Sequence, residues 1–599
     1  MKVKIDLEKD NNLTPFGIAT VQDRYLDKNE TSPQHAFARA SKYGATYRGK
    51  TDWDMAQRLY DYASNLWFGF SSPILSNAGT KKGLPISCFL NYVPDSRGGL
   101  SSHYDENIWL ASNGGGIGGY WGDVRSDGTS TSHGSKSTGS IPFMRVVDSQ
   151  MLAFNQGTTR RGSYACYMDI SHPEIEEFLF MRKSSGGDAN RKCLNLHHGI
   201  NITDDFMTAV NKNIDWKLID PHSKKVAKSI NARELWRLIL ETRHETGEPY
   251  LHFVDTSNRS LPETQKKLGL SIKQSNLCSE ITLPTDEDRT AVCCLSSVNL
   301  AKYDEWSTSP TFIPDMVRML DNVLEHFIQA TYDFSYDYKG DVLEMKVKEG
   351  MEGFTKAGYS AYRERSLGLG AMGFHTYLQK LNVPFEGPIA TGQNLKMFRQ
   401  IKDLANKTSM ELAEERGEAP DMEGTGMRNA HLLAIAPNAT SSIICGGTSP
   451  SIEPIRANVF IHKTLNGSFQ VRNRQLHNLL KQKWNNSEEL QKEYDSDYQH
   501  FKDKIWQSIS ENTGSVKHLD FLTDLEKDVF KTADEIDQNW IIEHASKRQE
   551  FICQAQSVNL FFVAPRVQAK QEDHDNFLRY TNKVHYQAWK KGLKSLYYL

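Results

Sequence analysis

The chain has 599 residues, more than one hydrophobic core normally serves, so several sub-structures or one very large barrel are expected. Its 71 basic and 74 acidic residues leave a net charge of −3, which gives no electrostatic reason to expect DNA, RNA or membrane binding. The start, MKVKIDLEKDNNLTPFG, has no apolar run of the signal-peptide kind, and no stretch approaches the roughly 18 apolar residues of a membrane span. A cytoplasmic protein is therefore expected.

Residues 1–70 read as mainly helical. SPQHAFARASKYG (32–44) opens on Ser-Pro and ends in Gly, and TDWDMAQRLYDYASNLWFGF (51–70) starts on Thr-Asp with helical spacing of its apolar residues. Beyond residue 70 short apolar runs (CFLNYV, IPFMRVV, YACYMDI, HHGINIT, EITLP, APNATSSIICG) alternate with helical stretches such as HPEIEEFLFMR and ARELWRLILETRHETG. That alternation predicts an α/β architecture. Residues 313–335 predict a long amphipathic helix, and the polar stretch 480–550 predicts helical surface structure. There is no internal repeat, low-complexity tract or evident linker.

Three stretches suggest chemistry. ASNGGGIGGYWGDVRSDG (111–128) is the most glycine-dense, and its backbone could approach a ligand's phosphate or sugar as readily as form a structural turn. No G-x-x-x-x-G-K-[ST] is present, which excludes a P-loop. In APNATSSI (436–443), Thr440, Ser441 and Ser442 could cap a helix and offer N–H groups to a phosphate, or simply cap it. In QGTTRRGSYACY (156–167), adjacent arginines read either as solvated loop charge or as nucleotide contacts.

The cysteines are at 88, 166, 193, 278, 293, 294, 445 and 553, without any C-x-x-C, so a zinc ribbon is not expected. SNLCSEITLP (275–284) puts Asn276, Cys278 and Glu280 on alternate positions. In an extended segment these would share one face, an amide–thiol–acid row suited to a reactive site or to a half-buried edge strand. Two thiols closing to a disulfide could supply the two electrons of a reduction, and a third could act as a radical. Together these parts suggest a reductase acting on a phosphorylated sugar. The chain ends GLKSLYYL, where Tyr597 and Tyr598 could dock a tail or carry an oxidising equivalent.

The motifs PILSNAG, SCFLN, GGGIGG, RRGSYACY, NLCSEI, CCLSSVNL, APNATSS and SLYY, in that order, closely resemble the large catalytic subunit of aerobic class I ribonucleotide reductases, and the resemblance runs nearly end to end. It implies a ten-stranded α/β barrel with NLCSEI on a central finger loop, so that 1–70 would be a helical N-terminal region and 71–599 the barrel with peripheral helices. It implies reduction of ribonucleoside diphosphates to 2′-deoxyribonucleoside diphosphates, which feed DNA synthesis. Cys278 would be the thiyl radical that abstracts the ribose 3′ hydrogen, Glu280 the base for the 3′ hydroxyl, and Asn276 a hydrogen-bond partner of the substrate hydroxyls. Cys88 and Cys293 would be the reducing pair, the pattern C-x-L-S favouring Cys293 over Cys294. Ser72, Ser87, Gly116 and the turn Pro437, Asn438, Ala439, Thr440, Ser441 and Ser442 would contact substrate, and Tyr597 and Tyr598 would relay the radical.

The resemblance also implies an allosteric site for dNTP or ATP at Asp95, Ser96, Arg125 and Arg161, with residues 126–139 and 157–164 as the relaying loops, at the interface of a homodimer. No metal or cofactor is expected on this chain. Only His244 has a Glu three residues before it, so a di-metal carboxylate site cannot be assembled, and a separate metal-containing small subunit would supply the radical. Thioredoxin or glutaredoxin would be the reductant. Two departures stand out: the catalytic body starts too early for an ATP-cone domain, and the chain stops one residue after Tyr598, without the cysteine tail of relatives. The rival readings are the adenosylcobalamin-dependent class, which has no use for the tyrosine pair, and a non-catalytic nucleotide-binding subunit, which would not need the cysteines.

Overall fold

The N-terminal helices begin where side-chain caps satisfy their free N–H groups. Helix α1 (Pro15–Arg24) is capped by Thr14, α2 (Pro33–Gly44) by Ser32 and α3 (Trp53–Ser64) by Asp52. The helix expected over 51–70 stops at Ser64, because Leu66 takes a left-handed backbone (φ 62°) and the aromatic residues after it enter a sheet as β1 (Phe68–Phe70). The computed structural model describes residues 2–132, 134–156, 160–336, 342–464, 467–566 and 568–599, with backbone alone at 155–156, 160–161, 336, 463–464 and 467.

The chain continues through α4 (Ser72–Asn77), β2 (Cys88–Tyr92), α5 (Arg97–Ser112), β3 (Gly116–Tyr120), α6 (Ile141–Ala153), β4 (Ser163–Asp169) and β5 (His197–Ile202). There follow α7 (Ala232–Thr246), β6 (Tyr250–Phe253), β7 (Ala291–Asn299), α8 (Phe312–Thr331), β8 (Leu367–Met372), α9 (Ala439–Ile444) and β9 (Ser595–Leu596). IPFMRVV is helix α6, with Pro142 in its first turn, rather than a strand, and EITLP joins no ladder. The 313–335 helix ends at Thr331, and Tyr332–Tyr336 is a strand.

The main sheet runs β8-β7-β2-β3-β4-β5-β6-β9, with β1 also on β7. Two extended segments carry its hydrogen bonds round to the starting edge. Tyr597 N donates to Val558 O (2.8 Å) and Leu560 N to Tyr598 O (3.1 Å), which joins β9 to residues 554–560. Ser557 N donates to Ile435 O (2.8 Å), and Leu369 N to Leu432 O (2.8 Å), which joins 554–560 to 431–435 and that segment to β8. The eight strands and two segments make a closed ten-membered ring, so neither sheet edge is left open.

Residues 274–283 run through the middle of this ring. Gln274 Nε2 donates to Asn91 O (2.9 Å), the Tyr167 hydroxyl to Asn276 O (2.7 Å) and Ser595 Oγ to Ser279 O (2.7 Å), so β2, β4 and β9 all hold the loop. Gly118 on β3 gives it room: a Cβ there would lie 2.1 Å from Ser275 O. Residues 474–530 surround a small core of their own, including Leu480, Trp484, Phe501, Trp506 and Phe530, so the polar stretch is more than a surface coat.

Candidate active site

The inner loop is not the extended segment its alternating residues suggest. Leu277–Ser279 form a turn in which Ser279 has φ 64° and its N–H bonds Asn276 O (3.3 Å). The turn sends Cys278 and Glu280 into a cavity of about 330 Å3, whereas Asn276 is not among its lining residues. Asn276 Oδ1 accepts instead from Ile281 N (3.1 Å), and its buried Nδ2 has no acceptor among the described residues. Cys88 and Ser87 enter the same cavity from the start of β2, Cys293 from β7, Ser72 from α4 and Pro437–Ser441 from the start of α9.

Strand geometry decides between the adjacent thiols. Cys293 and Cys88 are direct partners in the antiparallel β7–β2 ladder. Alternation along β7 puts Cys293 among the inner residues Leu90, Ile281 and Leu283, and Cys294 in the outer core. Burial pushes the Cys293 thiol well above its ordinary value, so it is a protonated thiol that can supply hydrogen. Gln554 Nε2 donates to its sulfur (3.4 Å). Ser557 Oγ lies 2.5 Å from Cys278 O and 3.3 Å from Glu280 Oε2.

Behind Cys278 the tyrosines form a cluster of tilted and edge-on rings. The Tyr597 hydroxyl is in hydrogen-bonding contact with the Cys278 thiol, and burial beside that thiol and Tyr598 pushes its phenol far up, keeping it protonated. Tyr597 and Tyr598 have ring centroids 4.2 Å apart, and Tyr250 lies 4.8 and 5.2 Å from them. The buried Arg243 of α7 fixes the tail by donating to Tyr597 O (3.1 Å), while Tyr598 N donates to Asn559 Oδ1 (3.1 Å).

Other expected contacts fall elsewhere. Gly116 is tied into the sheet, donating its N–H to Ser87 O (2.6 Å), and Gly114 rather than Gly116 lines the cavity. Gly118 and Gly119 approach the inner loop and Tyr164, so much of the glycine-rich stretch accommodates protein rather than ligand. Asn438, with φ 56°, precedes α9 as its cap residue without a side-chain cap bond, and Ser442 does not line the cavity. Asp95 and Arg125 form an ion pair (2.9 Å) outside the cavity lining, joined by His222 Nδ1 at 3.2 Å from Asp95. Ser96 caps α5 through Gly99 N (2.9 Å). The Arg161 side chain and residues 133 and 157–159 of the two expected loops lie outside the described residues. Among the described residues no cluster of three His, Cys, Asp or Glu could hold a metal, and no helix is long and apolar enough to cross a membrane.

Sequence reasoning missed Arg24, Tyr25, Gln554 and Ser557. Tyr25 lines the cavity beside Arg24, its hydroxyl 3.0 Å from Ser72 Oγ. The alternating polar residues of QAQSVNL (554–560) were the available sign of an inward-facing strand.

A family described as "Ribonucleotide reductase, barrel domain" matches residues 86–425 and 420–599, and one described as "Ribonucleotide reductase, all-alpha domain" matches 11–83. The ribonucleoside-diphosphate reductase large subunit of Invertebrate iridescent virus 3 is 42% identical over 100% of this chain and 95% of its own length. That of Invertebrate iridescent virus 6 is 28% identical over 99% and 92%. The solved class Id ribonucleotide reductase alpha subunit of Actinobacillus ureae is similar throughout, with a TM-score of 0.79 and 32% identity, covering 100% of this chain and 98% of that one.

Proposed function

The chain belongs to the ribonucleotide reductase large-subunit family, and from that premise we propose how its cavity reduces a ribonucleoside diphosphate to the 2′-deoxyribonucleoside diphosphate. Cys278, as a thiyl radical, takes the 3′ hydrogen atom, and Glu280 takes the proton of the 3′ hydroxyl. Cys88 and Cys293 supply two protons and two electrons at C2′, the 2′ hydroxyl leaves as water, and the pair closes to a disulfide. Glu280 returns its proton to the 3′ oxygen, and Cys278 returns its hydrogen to C3′ and recovers the radical. The balance is one substrate and two thiols to one deoxynucleotide, one water and one disulfide.

The observation that carries this reading is the convergence of Cys88, Cys293, Cys278 and Glu280 on one cavity, with the first two opposite each other across a ladder. The enclosing ring suits a radical, which solvent would quench. Ser72, Ser87 and Pro437–Ser441 hold the substrate, and Asn276 offers its Nδ2 to a substrate hydroxyl after a small rotation. Tyr598 and Tyr597 pass the oxidising equivalent to Cys278 from a metal-containing small subunit. Asp95, Ser96, Arg125 and Arg161 bind a dNTP or ATP effector in a homodimer, and thioredoxin or glutaredoxin restores the dithiol.

The test is CDP reduction by the purified chain with and without its small subunit, using dithiothreitol as reductant. Product that appears only with both subunits supports the reading. Sustained product from this chain alone, without added cobalamin, overturns the relay.

A further inference from the structure

Beside the outer tyrosine lie a buried carboxyl and a half-buried imidazole that the proposed reaction does not use. Glu248 is 1% exposed, and His197 Nδ1 lies 2.5 Å from its Oε1. Its Oε2 accepts from His198 N (3.1 Å) and lies 3.0 Å from His198 Nδ1. Burial alone would raise this carboxyl, but hydrogen bonds from His197 and His198 hold it well below the usual carboxylate range. An ionised carboxylate only accepts, so the His197 nitrogen facing it carries the proton. That same nitrogen lies 3.3 Å from the Tyr598 hydroxyl oxygen.

We propose that His197, fixed by Glu248, is a positioning residue that shares its Nδ1–H with the phenolic oxygen of Tyr598 and so holds that ring in its tilted contact with Tyr597. The inference rests on the relay reading above. It also assigns a direction: His197 is a donor to Tyr598, not the base that deprotonates it, because its facing nitrogen is already protonated. On oxidation Tyr598 gives one electron to the small subunit's oxidant and its phenolic proton to water at its half-buried side, while the His197 N–H stays on the phenoxyl oxygen. A donor there keeps the oxygen in one place through both states, which a short-range relay requires.

The test places 2,3,5-trifluorotyrosine at position 598 of the full chain and titrates it by fluorine NMR. A donor to the oxygen favours the phenolate, so H197L raises the fluorophenol pKa by about one unit, the size of one hydrogen bond. H197N restores most of the shift, because its amide nitrogen can occupy the place of Nδ1, whereas H197Q, which carries its amide further out, behaves as H197L. In the unlabelled enzyme with its small subunit, H197L lowers kcat about tenfold with KM unchanged. An unmoved or lowered pKa in H197L, or no difference between H197N and H197Q, overturns the assignment. Full activity of Tyr598→Phe would instead remove the relay itself, and the titration, which needs no turnover, separates the two failures.

Discussion

Gly118→Ala tests whether the loop through the ring is held by contact with β3. The added Cβ would lie 2.1 Å from Ser275 O and 2.8 Å from the Asn276 Cα. A carbon–oxygen contact relaxes near ~3.3 Å, so the loop or the strand must yield by about 1.2 Å. The strand is hydrogen-bonded on both sides, to β2 and β4, and the loop is pinned by Gln274, Ser275 and Tyr167. Overpacking of this kind costs about 1–3 kcal/mol, and displacing a reacting group by about 1 Å can cost about a hundredfold in rate. Gly118→Ala should therefore lower kcat for CDP reduction by about two orders of magnitude while urea unfolding shows a loss of about 2 kcal/mol. Gly392→Ala is the control: it sits in the helix Pro388–Arg416, its Cβ meets nothing within 4 Å, and it should be neutral or gain up to about 1 kcal/mol. If Gly118→Ala keeps more than half of wild-type kcat, the inner loop does not depend on that contact and the reasoning fails.

Four further outcomes are expected. Cys278→Ser should give no deoxynucleotide while substrate binding, read by calorimetry, stays near wild type, because a serine O–H is too strong a bond for the same relay to break. Tyr597→Phe should also be inactive with partner binding unchanged, since only the oxidisable hydroxyl in contact with Cys278 is removed; measurable turnover would refute the stack as a path. Asp95→Ala should flatten the dependence of substrate preference on dNTP identity but leave basal reduction, because the Asp95–Arg125 pair lies outside the cavity lining. Burial raises the Glu364 carboxyl from 4.5 to about 7, a penalty on the order of 3 kcal/mol that is absent below the unfolded pKa and grows as pH rises to the folded one. Glu364→Gln should accordingly stabilise at pH 8 and not at pH 4, with Gln265, whose Oε1 has no partner among the described residues, turning to accept the new amide; equal effects at both pH values would refute this.

Much of the site was legible because its chemistry is written in rare residue types at short spacing. C-F-L-N, N-L-C-S-E and C-C-L-S each supply a cavity residue, and period-two alternation separates Cys293 from Cys294 once β7 is a strand. The same alternation misled at Asn276–Glu280, because one left-handed residue, Ser279, turns the chain, and a non-glycine at positive φ carries no sequence mark. IPFMRVV has the apolar content of a strand, and only its serine-proline-bounded start favours a helix. The ring-closing segments 431–435 and 554–560 were hard to see as strands, since their pairing is long-range and their side chains include Gln, Asn and His; only the polar alternation of 554–560 marks an inward-facing strand. The glycine-rich stretch was ambiguous for a physical reason: a missing Cβ admits a ligand or a neighbouring backbone equally, and at Gly118 it admits the backbone.

The turn at Ser279 also explains why the thiol proposed to carry the radical is not on a strand. An inward residue of a barrel strand faces the interior and its two ladder neighbours, so it could meet a substrate or a tyrosine stack behind the sheet, but not both. In the proposed mechanism Cys278 does both, and its position fits: it lines the cavity beside Glu280 and Cys293, and it packs against the apolar cluster of Tyr167, Tyr250, Tyr597 and Tyr598. A loop inside the ring is surrounded on all sides, and a tight turn at its tip presents one side chain to two compartments. The cost is a backbone that leaves the ladder, and here it is offset bond by bond, with Tyr167, Ser557 and Ser595 donating to the carbonyls of residues 276, 278 and 279. Removing those donors one at a time should therefore affect kcat before it affects global stability, since each fixes the position of Cys278 between substrate and stack rather than the barrel itself.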